Sequence, residues 1–233
     1  MYEEKIIPPK KAMPQAQDGT LRKFALRVPE VIYQCSGIIV FGKRIKSLVF
    51  STDLSIIKNV NADAIIAVYP FTPQPIITQA LLLAADIPVF AGVGGGLTKG
   101  QRVVNLAMFA EMQGATGVVV NAPTANTVVQ HVAETIDIPV VVTVARADTD
   151  FEARLQAGAN IFNVSAAAET PAIVRSIRER YPDVPIIATG GPTDESILET
   201  IRAGANAITW TPPSNGEIFR DIMAAYRDNK PHP

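Results

Sequence analysis

Short, unbroken apolar runs recur along this chain, separated by segments of helical length. The runs AIIAVY, GVVVN, NIFNVS and NAITWT each follow a compact phrase: Asn61-Ala-Asp-Ala, Gln113-Gly-Ala, Ala157-Gly-Ala and Ala203-Gly-Ala. A second phrase alternates with the first: Asp86-Ile-Pro-Val-Phe, Asp137-Ile-Pro-Val-Val and Asp183-Val-Pro-Ile-Ile. Gly just past a helix end takes the left-handed cap conformation at little cost. Pro at the start of a strand removes only an N–H that the ladder does not yet need. The runs are continuous rather than alternating, so both faces are buried, as in parallel strands covered by helices. The pattern predicts eight strands, near 47–52, 64–69, 88–92, 117–121, 139–144, 161–164, 185–189 and 207–211. Four double units of roughly 45–50 residues, joined by right-handed crossovers, close into a (β/α)8 barrel. An open doubly wound sheet is the rival, but no Gly-x-Gly-x-x-Gly fingerprint follows the first strand and the units stay alike to the end.

Residues 1–25 read as a polar arm broken by Pro8, Pro9 and Pro14, and 26–230 as a single barrel domain with an N-terminal capping segment. The segment before Ser47 is expected to supply a capping helix over the barrel bottom. The run 37–42, GIIVFG, fits a strand as well as a helix. The arm has no apolar core for a secretory signal, and no stretch reaches the ~18–20 apolar residues of a membrane span. A cytoplasmic protein is expected.

Composition narrows the chemistry. The 233 residues carry 21 basic and 22 acidic side chains, for a net charge of −1, with no basic block. That balance argues against nucleic acid or an anionic membrane as partner. One cysteine, Cys35, and two histidines, His131 and His232, leave no basis for a disulfide or a thiolate- or imidazole-based metal site. No metal is expected. Cys35 reads as a buried thiol, and His131 as a structural residue on an outer helix.

Barrel active sites lie at the C-terminal strand ends. The loop after the seventh strand, Ala188-Thr-Gly-Gly-Pro-Thr-Asp, sets Gly190 and Gly191 before a helix starting near Thr193, and the eighth supplies Ser214, Asn215 and Gly216. Bare glycine backbone and helix N-terminal N–H groups suit a phosphate there. Plain glycine turns with Thr193 and Ser214 as N-caps account for the same residues. Asp53 ends the first strand, where desolvation would raise its pKa and make it a general base; capping the next helix is the alternative. Asn121 and Asn163 end the fourth and sixth strands, positioned to donate to a carbonyl or oxyanion. The third loop, with Gly94, Gly95 and Gly96 before Thr98 and Lys99, suits a second anion cradle or a lid. Lys99 is the remaining amine nucleophile. Tyr69, Arg146 and Ser165 complete the expected pocket.

The stretch 160–216, centred on IIATGGPTDESILETIRAGANAI, resembles the end of the ribulose-phosphate-binding TIM-barrel superfamily. The whole chain resembles a bacterial TIM-barrel group that carries the general label hydrolase, on VFSTD, YPFTPQPIITQA, GVGGG and TPPS. The resemblance implies a TIM barrel binding a small phosphorylated ligand. It departs from the superfamily's aldolases, which need a Schiff-base Lys where this chain has Asn163, and from its decarboxylases, whose Asp-x-Lys-x-x-Asp run is missing. Its His- and Asp-liganded metal epimerases do not fit a chain so poor in histidine. The expectation is an isomerase, lyase or hydrolase without a required cofactor, working as a homo-oligomer. A non-catalytic sensor of a phosphometabolite, or of flavin mononucleotide (FMN), is the alternative.

Overall fold

A computed structural model describes residues 26–95 and 97–231. The arm expected over 1–25, Gly96 of the third loop and His232 lie outside the described residues. A hairpin of β1 (Ile38–Val40) and β2 (Lys43–Ile45) opens the fold. Eight βα units follow: β3 (Ser47–Phe50) and α1 (Leu54–Lys58), β4 (Ala64–Ala67) and α2 (Pro75–Ala84), β5 (Val89–Gly94) and α3 (Gln101–Met112), and β6 (Gly117–Val120) and α4 (Asn126–Thr135). The second half is β7 (Val140–Val144) and α5 (Phe151–Gln156), β8 (Ile161–Val164) and α6 (Thr170–Arg180), β9 (Ile186–Thr189) and α7 (Asp194–Arg202), and β10 (Ala207–Trp210) and α8 (Asn215–Arg227). Strands β3 to β10 pair in sequence order, all parallel, and β10 closes on β3. The fold is a (β/α)8 barrel, as the repeat predicts.

Both repeated phrases do what their chemistry predicts. Gly114, Gly158 and Gly204 have φ of 95°, 99° and 113°, and the alanine after each donates back five residues, Ala115 to Ala110 at 2.9 Å, Ala159 to Arg154 at 3.1 Å and Ala205 to Thr200 at 3.3 Å. This is the 6→1 bond of a Schellman cap. Pro88, Pro139 and Pro185 sit one residue before β5, β7 and β9, where their carbonyls accept from Ile65, Val118 and Phe162. Each proline thus joins the ladder through the one group it has. The asparagine after two of the caps adds a tie, since Asn160 and Asn206 side chains accept from Val140 and Ile186 N–H at 2.8 and 2.9 Å.

The core has two layers. Leu48, Ile66, Phe90, Val119, Val141, Ile161 and Ile187 fill the barrel interior, while the outward strand residues meet the helices in a larger shell. The expected capping helix is replaced by the β1–β2 hairpin, a correction with a clear cause. Phe41 and Gly42 turn the chain with φ of 47° and 77°, the all-positive signature of a tight hairpin turn. Ile38, Val40 and Ile45 then point into the interior cluster and plug the barrel bottom. The helical turn at Glu30–Gln34 is a short 3-10 segment that packs on α7. Among the described residues no helix is long and apolar enough to cross a membrane.

Candidate active site

Side chains alternate along a strand, so the residues two beyond the interior cluster form the next layer toward the C-terminal mouth. They are Phe50, Val68, Gly92, Asn121, Thr143, Asn163, Thr189 and Thr209. Three of them, Phe50, Val68 and Gly92, are apolar, and the five from Asn121 to Thr209 are polar. None of the eight is charged. Asn163 and Thr209 are buried, and Asn163 Oδ1 and Thr209 Oγ1 have no hydrogen-bond partner among the described residues. Asn163 Nδ2 donates to Thr143 Oγ1 at 3.4 Å.

A cavity of about 570 Å³ opens beside this layer, walled by the loops after β3, β4 and β10. It gathers Asp53, Tyr69, Asn121, Ser214 and Asn215. Asp53 is the N-cap of α1: its Oδ1 accepts from Ser55 N–H at 2.9 Å and Ser55 Oγ at 2.8 Å. Its Oδ2 accepts from Asn215 Nδ2 at 2.5 Å. The raised pKa expected for Asp53 is therefore corrected. Hydrogen bonds from the Ser55 side chain, then from the Ser55 and Ile56 backbone and from Asn215, outweigh burial and hold its carboxyl below the ordinary range. Asp53 lines the cavity as a carboxylate. The Tyr69 hydroxyl accepts from Gln74 N–H at 2.9 Å, which leaves its own proton to donate.

Asn121 also borders a smaller cavity of about 180 Å³ with Tyr69, Gly94 and Gly95. The third loop, expected as an anion cradle or a lid, borders this cavity. Gly95 N–H donates to Thr98 O and Thr98 N–H to Gly95 O, at 3.1 and 3.2 Å, so these two donors are used within the turn. Gly94 and Gly95 also answer packing. A Cβ on Gly94 would lie 2.5 Å from Val103 Cγ2, and one on Gly95 2.2 Å from Asn121 Cβ. Lys99 is exposed and lines neither cavity, which corrects its assignment as a pocket nucleophile. Arg146 and Ser165 border a separate, open depression with Glu169, and Arg146 is held bidentately by Asp148 at 2.9 and 2.7 Å.

The helix ends expected to hold phosphate carry the chain's own acidic groups. A Cβ on Gly190 would meet Ile208 and Ile197 at 2.7 and 2.8 Å, so that glycine faces the core. Gly191 has φ of 84° and turns the chain into α7. Thr193 and Ser196 form a capping box, with Asp194 and Glu195 in the first turn. At α8, Ser214 N–H and Oγ both donate to Glu217 Oε2, at 2.8 and 2.7 Å. Those bonds hold the Glu217 carboxyl below its ordinary pKa. A Cβ on Gly216 would stand 4.0 Å from Ser214 Oγ, an ordinary contact. The buried Thr209 lies at the mouth because it stands two residues beyond the interior Ala207, at the C-terminal end of its strand.

The fold and site together define a (β/α)8 barrel with an uncharged polar floor and an acid-capped rim. No protein-family model matches the sequence, and no curated protein matches it. Solved structures do. Phosphonopyruvate hydrolase, crystallised with oxalate and magnesium, matches with a TM-score of 0.58 at 13% identity, over 80% of this chain and 84% of its own. The 4-hydroxy-tetrahydrodipicolinate synthase of Methylacidiphilum fumariolicum SolV matches at 0.58 and 16%, over 81% and 75%. A dihydrodipicolinate synthase of Bacillus anthracis matches at 0.56 and 18%, over 82% and 77%. At these identities the likeness is one of fold. It supports the TIM barrel and does not single out the ribulose-phosphate-binding superfamily. Among the described residues no group of three or more His, Cys, Asp or Glu side chains comes together to hold a metal ion.

Proposed function

We propose that this barrel is an enzyme that moves a proton next to the carbonyl of a small oxygen-rich metabolite, a step shared by isomerases and lyases. The observation that carries the reading is that Asp53, Tyr69 and Asn121 line one cavity at the C-terminal strand ends, where barrel enzymes work. Asp53, held ionised, accepts the proton from the carbon next to the carbonyl. The Tyr69 hydroxyl and the Asn121 amide donate hydrogen bonds to the oxygen on which negative charge develops. Return of the proton to the former carbonyl carbon, with the hydroxyl proton passing from one oxygen to the other, gives isomerisation; re-forming the carbonyl with expulsion of a protonated leaving group from the β carbon gives a lyase reaction.

A second reading keeps the metabolite phosphorylated, and Ser214 and Asn215, which bring the start of α8 to the same cavity, favour it. Protein incubated in heavy water with a panel of small ketoses, their phosphate esters and 2-oxo acids tests both. Deuterium entering the carbon next to the carbonyl, seen by proton NMR and lost in Asp53→Asn, supports the enzyme. Exchange confined to the esters selects the phosphorylated form. Saturable binding without exchange for any compound would instead mark a sensor.

A further inference from the structure

We propose that the β7–β10 half of the barrel mouth is a binding subsite for a neutral, hydroxylated carbon chain, anchored on Asn163 Oδ1 and Thr209 Oγ1. The proposal names the substrate class of the proposed enzyme and rests on that reading for the reacting end. Its starting observation is that two of the four orphaned buried side-chain atoms among the described residues, the others being Gln113 Oε1 and Thr124 Oγ1, lie in this one layer. Asn163 and Thr209 are 8% and 6% exposed, and neither oxygen has a partner among the described residues. Buried polar atoms are almost always satisfied, and two exceptions in one layer call for a partner from outside the chain, a ligand or the water that a ligand displaces. Both residues point inward, being two positions beyond Ile161 and Ala207 of the interior cluster.

Thr143 and Thr189 extend the same surface, with Thr143 paired to Asn163 and Thr189 to Thr209 in the strand register. The four side chains offer three hydroxyls, which both donate and accept, and one free carbonyl oxygen, which only accepts. The ligand atom facing Asn163 must therefore be a donor. It must also be neutral or nearly so, because an anion buried here would find no positive charge. Alcohol groups meet both conditions. Across the mouth, Phe50, Val68 and Gly92 are apolar and suit the C–H face of the same chain, with Asn121 the one polar residue on that side. A polyol or sugar carbon chain has that two-sided character.

The test compares wild type with Thr209→Val, which deletes the hydroxyl and keeps the shape. Thermal melting is followed against erythritol, ribitol and D-fructose, with ribitol 5-phosphate and inorganic phosphate as charged arms. Polyols stabilise proteins generally by exclusion, so a linear rise common to both proteins is the baseline. The proposal expects a saturable rise above that baseline in wild type and a dissociation constant at least tenfold weaker in Thr209→Val. Thr189→Val, at a half-exposed position, carries the same comparison should Thr209→Val fail to fold, with a smaller loss expected. An equal saturable rise in wild type and variant, no saturable rise in either, or saturation by the phosphate-bearing probes alone overturns the subsite. Asp53→Asn separates the two proposals. It should keep the polyol effect while losing deuterium exchange. A polyol effect alongside exchange that survives Asp53→Asn refutes the catalytic reading and leaves the subsite standing.

Discussion

Asp53 gives the sharpest test, because two substitutions at one atom separate its structural role from its chemical one. Asp53→Ala removes the α1 cap and the acceptor of Asn215 Nδ2. Losing an N-cap costs about 1 kcal/mol, with a range of roughly 0.5–2. The tie to Asn215 adds about 1 kcal/mol, at the low end for a bond to a charged group because the site is only half-buried. A loss of about 2 kcal/mol should lower the melting temperature of a chain this long by roughly 4–8 °C. Asn is as good an N-cap as Asp, so Asp53→Asn should melt within roughly 2–4 °C of wild type. Its proton-transfer activity should nevertheless fall by about 10²–10⁴, the usual share of a general base.

The pH dependence carries a sign. The folded carboxyl titrates below its ordinary range, so between the two pKa values the unfolded chain binds more protons and stability rises with pH. The contribution is complete above the unfolded pKa of about 3.9 and is lost as pH falls through the folded value. Melts of the three proteins from neutral pH down into the acid range measure both effects. The difference between wild type and Asp53→Asn should shrink toward the acid end. An Asp53→Ala protein as stable as wild type would refute the capping argument, and full exchange activity in Asp53→Asn would refute the catalytic one.

Gly191→Ala should cost about 1–2 kcal/mol in chemical denaturation, because φ is 84° and the new Cβ would stand 2.5 Å from Ser196 Oγ. Arg178→Met should destabilise by about 1–3 kcal/mol, since the guanidinium donates to Gly204 O at 3.0 Å and to Asn206 Oδ1 at 2.6 Å and would leave both short of a partner. Cys35 is 2% exposed and burial pushes its thiol up to about 12; maleimide at pH 8 should leave it untouched in the folded protein and label it after denaturation.

How much of this the sequence discloses follows from how local each cause is. The barrel is legible because its signals are short. A left-handed glycine at 114, 158 or 204 and a strand-opening proline at 88, 139 or 185 act on neighbours within a few residues. The hairpin plug is less so, since the alternation of Ile38 and Val40 means burial only once a barrel bottom exists to receive it. The lowered pKa of Asp53 comes chiefly from Ser55, two residues away, but sequence does not show whether its bonds outweigh burial; Asn215, 162 residues further on, adds the smallest share. Glycine roles are hidden for the same reason. Sequence shows that residues 94, 95 and 190 lack a Cβ, and only the fold shows that Val103, Asn121 and Ile197 occupy the space one would need. A glycine-rich loop at a helix start is thus read equally well as ligand cradle or close packing.

Charge around the mouth decides between these readings in a measurable way. Helix N-termini attract anions through their free N–H groups and dipole. Here Asp53 caps α1, Asp150 caps α5, Asp194 and Glu195 lie in the first turn of α7, and Glu217 closes on Ser214 at α8. Each of these helix starts is compensated from within the chain, while the floor of the mouth is uncharged. An incoming phosphate would meet repulsion at the rim and no cation below. Binding of a neutral hydroxylated ligand should then be nearly flat in ionic strength, because no charge pair forms that salt can screen. Titrations of ribitol or D-fructose from about 0.02 to 0.5 M sodium chloride, where the screening length falls from roughly 20 Å to a few ångström, should give dissociation constants within about threefold of one another. A steep weakening with salt would mean that an anion is recognised after all, and that the acidic caps yield to it.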